Sequence, residues 1–157
     1  MNTQTDAQII ATIKAAVQLH RDSAETLTTR IEALLEPIPG STKITAGGHT
    51  ISYRTVYAEC SQWGNGAYPC TGSRKAYVID GDYVMGRPDC SFFDGKNHQY
   101  QINTRRWSLR EDTSSDDLRT IPVGILREIA KDLPSALLAY AQCCAQAAQE
   151  NNTLATA

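Results

Sequence analysis

Apolar side chains recur at alternating steps of three and four through the first part of the chain: Ile10, Ile13, Val17, His20, Ala24, Leu27, Ile31 and Leu34, with His20 the single polar member. This is a two-in-seven seam held over four heptads, the pattern of a helix that meets another helix. Thr5 and Gln8 supply a capping box at its start, and Pro37 and Pro39-Gly40 end it. A helix over 6–36 is roughly 46 Å long. A compact domain of this size is only about 39 Å across. The seam therefore asks for a long partner helix, in the same chain or in another copy.

The C-terminal third offers one. Ser114 and Asp117 form a second capping box, which opens a helical region over 115–150, and Pro122 suits a first turn. A second seam follows: Val123, Leu126, Ala130, Leu133, Leu137, Tyr140, Cys144 and Ala147. Pro134 lies inside it and predicts a kinked helix or a helix pair. Ala139, Ala141, Ala145, Ala147 and Ala148 favour close helix approach. Two narrow seams and one small sheet predict a homo-oligomer joined through the terminal helices, with Ile13, Val17, Leu27, Leu137 and Tyr140 as contacts.

Between the helices the pattern turns to period two. Lys43–Ala46 and His49–Tyr57 flank Gly47-Gly48, and Lys75–Ile79 and Asp82–Met85 flank Asp80-Gly81, both hairpin signals. Ser91-Phe92-Phe93, Asp94-Gly95 and Asn97–Leu109 point to a third. The expected fold is α+β: a long N-terminal helix, a central antiparallel sheet of four to five strands over 43–110, and a C-terminal helical region, all in a single domain spanning 1–157. The loop over 60–73, carrying Trp63, Gly64, Gly66, Tyr68, Pro69 and Cys70, is long and without periodicity, which is common at functional sites.

Composition narrows the function classes. Apolar residues at 41% and charged residues at 20% are ordinary for a globular protein. The polar start, Met1 to Thr5, lacks the regions of a signal peptide, and no run is long enough to span a membrane, so a cytoplasmic protein without a membrane partner is expected. In a reducing compartment the five cysteines read as thiols first. The net charge of −2 makes nucleic acid an unlikely partner. Its distribution is uneven: residues 43–110 hold nine Lys or Arg against five acids, and the flanks hold six against twelve. A basic middle between acidic ends fits an anionic partner, although unrelated surface charges give the same count.

Three chemistries compete. Cys60, Cys70, Cys90 and His98 are a possible zinc set, but their spacings never make the short Cys-x-x-Cys knuckle, so no metal is expected. Cys60 and Cys70 could instead pair under oxidation. Cys144 reads as a small core residue, and His20 as a hydrogen-bonded core or interface group. A cysteine nucleophile with His49 or His98 as base lacks the strand–turn–helix setting of such sites, and Gly64-Asn65-Gly66 leads into no helix, so no catalytic residue or cofactor is assigned. The Asp80 and Asp82 pair belongs to a turn.

Binding has the best material. The strand near 97–110 is polar, and alternation places Gln101, Asn103, Arg105 and Trp107 on one face and Arg106 on the other. A guanidinium beside an indole suits a phosphate and a stacked base. Arg105, Trp107, Arg106 and Arg110 are therefore ligand candidates, joined by Trp63, Arg74 and Lys75 if the long loop folds over the sheet. A solvated strand with a buried Trp is the plainer account of the same residues. In layout, two seam-bearing helices around a small sheet resemble counter-defence proteins of phages and mobile elements. Some of these sequester nucleotide signals and others block a defence nuclease. The resemblance implies a non-catalytic oligomer in the host cytosol that captures an anionic, nucleotide-like small molecule. An inhibitor or adaptor that binds a host protein is the second reading, and a cysteine or zinc enzyme the third.

Overall fold

The computed structural model describes residues 3–60, 71–85, 105–109 and 117–157, and for 58–60, 71–74, 105–109 and 117 it describes the backbone alone. Helix α1 runs Asp6–Leu35. Strands follow at Ile44–Ala46 (β1), His49–Cys60 (β2), Thr71–Ile79 (β3), Tyr83–Val84 (β4), Arg105–Leu109 (β5) and Asp117–Thr120 (β6), and helix α2 runs Val123–Thr156. This is the α+β layout expected, with a long helix at each end of a sheet.

Local chemistry sets the element ends. Thr5 caps α1 through the predicted box: its Oγ1 accepts from the Gln8 amide at 3.3 Å, and its own amide donates to Gln8 Oε1 at 2.9 Å. After Glu36, the Ile38 amide closes on the Leu35 carbonyl at 2.9 Å and Pro37 prevents continuation. The hairpins predicted at Gly47-Gly48 and Asp80-Gly81 form, and the third, over 91–109, lies outside the described residues except for 105–109. Asp80 and Gly81 take φ of 55° and 71°, the left-handed pair that a tight hairpin turn requires. Gly47, at φ 59°, has a second reason to be glycine. A Cβ there would lie 2.5 Å from the carbonyl oxygen of Glu128, so only a bare backbone lets the β1–β2 turn dock on α2. The Gly47 amide completes that dock by donating to Asp132 Oδ2 at 2.8 Å.

The sheet holds more than hairpins supply. β2 is the spine: its start pairs with β1, its length with β3, and its end with β5 on the edge opposite β3, all antiparallel. β3 pairs with β4, β4 pairs in parallel with β6, and β6 pairs with β5. The pairings β2–β3–β4–β6–β5–β2 therefore close into a ring of five strands, with β1 attached outside it. The parallel pair joins Tyr83 to Arg119 and Val84 to Thr120. The region expected to be helical from 115 begins as strand β6, and the helix starts only at Val123, with Pro122 as its cap. The amides of Arg119 and Ile121 find carbonyls on Asp82 and Val84, at 3.0 and 3.2 Å, which a helical turn there would forgo.

Two apolar clusters result. Val56, Ala76, Val78, Val84 and Leu118, drawn from β2, β3, β4 and β6, form the small cluster inside the ring. The larger cluster joins the outer face of the strands, through Ile51, Ile79 and Met85, to Ile31 and Leu35 of α1 and Leu126, Ile129 and Leu133 of α2. Alternation along β2 explains the division, since Ile51 and Val56 lie on opposite faces. Of the kinked helix or helix pair expected at Pro134, the pair does not occur: α2 is a single helix through it. Its apolar face continues on both sides of the proline, with Leu133 buried and Ala136, Leu137 and Tyr140 packed against the same cluster, so packing outweighs the lost amide.

Each helix is anchored over only part of its length. Every α1 residue from Asp6 to Ser23 is exposed, and so is every α2 residue from Ala141 to Thr156. No helix among the described residues is long and apolar enough to cross a membrane.

Candidate functional site

A cleft of about 530 Å³ opens where α1, the β2–β3 face and the start of α2 meet. That volume lies within the range of small-molecule sites. Its floor is apolar, made by Met85, Ile121 and Leu126. One wall is α1, whose residues at helical spacing, Glu25, Thr28, Thr29 and Glu32, share one face. The other carries Tyr53, Lys75 and Tyr77, brought together because Tyr53 pairs directly with Tyr77 across the β2–β3 ladder.

The two tyrosine rings lie 4.7 Å apart between centroids, tilted by 37°, and Lys75 Nζ stands 5.9 Å from the Tyr53 ring centroid. Tyr53 is 38% exposed, which leaves ring surface for a ligand to cover. Burial first, and then Tyr53, Glu32 and Glu36, push the Tyr77 phenol above its ordinary pKa, so it remains a hydrogen-bond donor. The hydroxyls of Thr28 and Thr29 each donate 3.0 and 2.9 Å to the carbonyls of Ala24 and Glu25, and present lone pairs to the cleft. Among the described residues that line the cleft there is no Cys, His or Ser.

The residues singled out from sequence are dispersed. Lys75 is in the cleft. Arg74 lies beside it on β3, where its backbone pairs with Val56. The backbones of Arg105, Arg106 and Trp107 pair with Cys60, Glu59 and Ala58, on the other edge of β2. Trp107 also pairs with Leu118. Trp63 and Arg110 lie outside the described residues, as do Cys70, Cys90, His98, Ser114 and most of the 60–73 loop. Sequence reasoning missed Tyr53, Tyr77 and Glu32. The two tyrosines are visible as strand residues, but the register that faces them is a long-range property.

A second groove, of about 350 Å³, lies on the other face of β2, where Thr50, Ser52 and Arg54 alternate with Ile51 and Tyr53. Lys43 and Asp80 complete it. Asp80 is committed elsewhere. Its Oδ2 is 2.7 Å from His49 Nδ1, and its Oδ1 accepts from the Thr50 amide at 2.8 Å. The other ring nitrogen of His49 lies 2.6 Å from Glu128 Oε2 on α2. The hydrogen bond to Asp80, then that to Glu128, raise the His49 pKa, and the same contact with His49 lowers that of Asp80. With both nitrogens held by carboxylates, His49 is a clamp between the hairpins and α2 and has no nitrogen left to act as a base.

Two further expectations are corrected. Cys144 is exposed rather than in the core, together with Cys143, because α2 has already passed beyond the sheet. His20 is exposed on α1 for the matching reason, so of its core and interface readings the core one is overturned. Among the described residues no group of three or more His, Cys, Asp or Glu is placed to hold a metal ion. No family model, curated protein or solved structure matches the chain.

Proposed function

We propose that the protein is a non-catalytic binding protein that captures a small nucleotide-like molecule, and that it works as a homo-oligomer. The observation that carries the ligand reading is the cleft with the Tyr53–Tyr77 ring pair on one wall, Lys75 above it and an apolar floor. A planar base has a ring to stack on, and a phosphate has one cation to meet. Facing them, beside Glu25 and Glu32, the hydroxyls of Thr28 and Thr29 can accept hydrogen bonds from ribose hydroxyls or an exocyclic amine. Two carboxylates against one ammonium leave the described wall with a formal excess of one negative charge. That charge favours ligands with one phosphate over those with several, a narrower class than the basic middle of the sequence implied. Capture without turnover is what a protein that sequesters a nucleotide signal requires, and a phage or mobile-element protein acting in the host cytosol is the setting we propose.

The test is calorimetry with nucleosides, mononucleotides, cyclic nucleotides and ADP-ribose, followed by chromatography of the recovered ligand. A mononucleotide or nucleoside should bind and return unaltered. Tyr53→Ala should weaken it by roughly five- to a hundredfold, the loss of one stacked base at about 1–3 kcal/mol. Lys75→Ala should weaken only the phosphorylated ligands. Loss of binding in Arg54→Ala with none in Tyr53→Ala would move the site to the second groove. An altered ligand would make the protein an enzyme. No small ligand, with stoichiometric capture of a host protein, would favour the inhibitor reading.

A further inference from the structure

The described surface is open in two places of different character. Along the helices it is apolar: Ile10, Ile13 and Val17 of α1 are exposed, whereas Leu27, Leu137 and Tyr140, also expected between copies, pack on the core of their own chain. On the sheet it is charged. The groove of about 350 Å³ on β2 holds Lys43 and Arg54 with a single carboxylate, Asp80.

The strand pairings explain why this groove is open. β1 and β5 pair with the same edge of β2, the one opposite β3. β1 reaches only to Ile51 and β5 begins only at Val56, so residues 52–55 of that edge lie in the gap between the two strands. Alternation puts Ser52, Arg54 and Val56 on one face. Val56 is sealed in the cluster inside the ring, and Arg54, partly buried and directly opposite buried Ala76, stands next to it at the rim. Extending the β1 register by one residue sets Lys43 opposite Ser52, so the two cations are diagonal neighbours with β-carbons roughly 7 Å apart. Neither has a carboxylate partner among the described residues. Asp80 is engaged elsewhere, with Oδ2 on His49 at 2.7 Å and Oδ1 on the Thr50 amide at 2.8 Å. A partly buried guanidinium beside an ammonium is repelled and poorly hydrated, a cost that an anion between them relieves.

We propose that this groove is a second binding site, for a small phosphate compound with no ring to stack, of the class of pyrophosphate or a polyol phosphate. The Arg54 fork can hold two oxygens of one phosphate, and Lys43 Nζ a third. The Thr50 hydroxyl lines the groove and can donate as well, and the Ser52 hydroxyl, on the Val78 carbonyl at a long 3.4 Å, can turn to the ligand. The described lining holds no aromatic or large apolar side chain, so a base has nothing to stack on. At about 30 Å³ per water the groove has room for roughly a dozen waters, more than a bare phosphate displaces, so the ligand carries a second phosphate or hydroxyl groups. This chemistry is the converse of the cleft, where two rings and two carboxylates accompany one lysine. The two sites lie on opposite faces of β2, Tyr53 in one and Arg54 in the other, and the groove is a site whether or not the cleft takes a nucleotide.

The test is calorimetry on the full chain with inorganic phosphate, pyrophosphate and glycerol 3-phosphate, in buffer free of other oxyanions and at constant ionic strength. Pyrophosphate or glycerol 3-phosphate should saturate a single site per chain, half-filled below about 1 mM, and should raise the melting temperature. Arg54→Gln should weaken that binding by roughly ten- to a hundredfold, the usual loss for a charge-assisted contact. Lys43→Gln should weaken it by about two- to fivefold, as for an exposed charge. Lys43 is exposed and its replacement keeps the fold, so the test stands even where Arg54→Gln does not fold. Lys75→Ala, on the other face, should retain the full affinity for pyrophosphate. Binding lost in Lys75→Ala and kept in Arg54→Gln would place the anion in the cleft and end the proposal. Binding that both groove variants retain in full, exclusion of the two larger compounds, or no effect beyond that of chloride at the same ionic strength would each overturn it as well.

Discussion

His49 shows how much one side chain can tie together. It sits at the start of β2 and touches a carboxylate on the β3–β4 turn and another on α2, so three segments far apart in sequence meet at one imidazole. The sign of its contribution follows from the direction of its shift. A raised folded pKa means that the stabilisation is fully present below the unfolded histidine value of about 6.5, and is lost as pH rises through the folded value. The lowered pKa of Asp80 acts at the other end: its stabilisation is present above about 3.9 and is lost as pH falls through its folded value. Thermal stability should therefore be greatest in mildly acidic buffer and decline toward alkaline pH. Replacing His49 by Gln should flatten that alkaline decline, as read from melting temperatures across the range. A decline of the same size in His49→Gln would mean that another group causes it. The sequence shows His49 as a free candidate base, because nothing local reveals that its two neighbours lie 31 and 79 residues away.

The helices illustrate what a repeat pattern can and cannot say. The seam from Ile10 to Leu34 correctly marks the extent of α1, and the Thr5–Gln8 box correctly marks its start. The pattern is the same in the anchored and free halves, so it could not show that burial begins only at Ala24. A helical arm of this length is marginal in water when nothing packs on it. Amides of 9–23 should therefore exchange rapidly in dilute monomer and slowly in the associated state, while amides of 28–35 stay protected in both. Hydrogen exchange across a dilution series reads this directly, and concentration-independent protection of the arm would contradict it. At the other end, Ser114 and Asp117 resemble a helix start, yet Asp117–Thr120 joins the sheet. A four-residue strand whose partners are β4 and β5 leaves no periodic trace, and the capping box is the stronger local signal.

At the scale of the molecule, hairpins and terminal helices were legible, and the closure of the sheet was not. β1–β2 and β3–β4 follow from glycine-bearing turns, but β4–β6 and β2–β5 join segments with no adjacency in the chain. The cleft was illegible for the same reason: Lys75 was noticed for its charge, while Tyr53, Tyr77 and the α1 carboxylates became a site only through packing. The strand circuit also has a kinetic meaning. Its two long-range links join Tyr83 to Arg119, 36 residues apart, and Cys60 to Arg105, 45 apart, whereas the β1–β2 and β3–β4 links span at most seven. Contacts of high separation cost more loop entropy and form late. Leu118→Ala, inside the ring on β6, should cost about 2–4 kcal/mol, the usual range for such a truncation. Stopped-flow measurements should place nearly all of that loss in faster unfolding, with the refolding rate almost unchanged. Equal shifts in both rates would put β6 in the folding nucleus. If the β5–β6 pair is the last to arrive, it is also the first to leave, and the protein's lifetime against proteolysis or force is governed by the seals it makes with β2 and β4 rather than by the larger core under the helices.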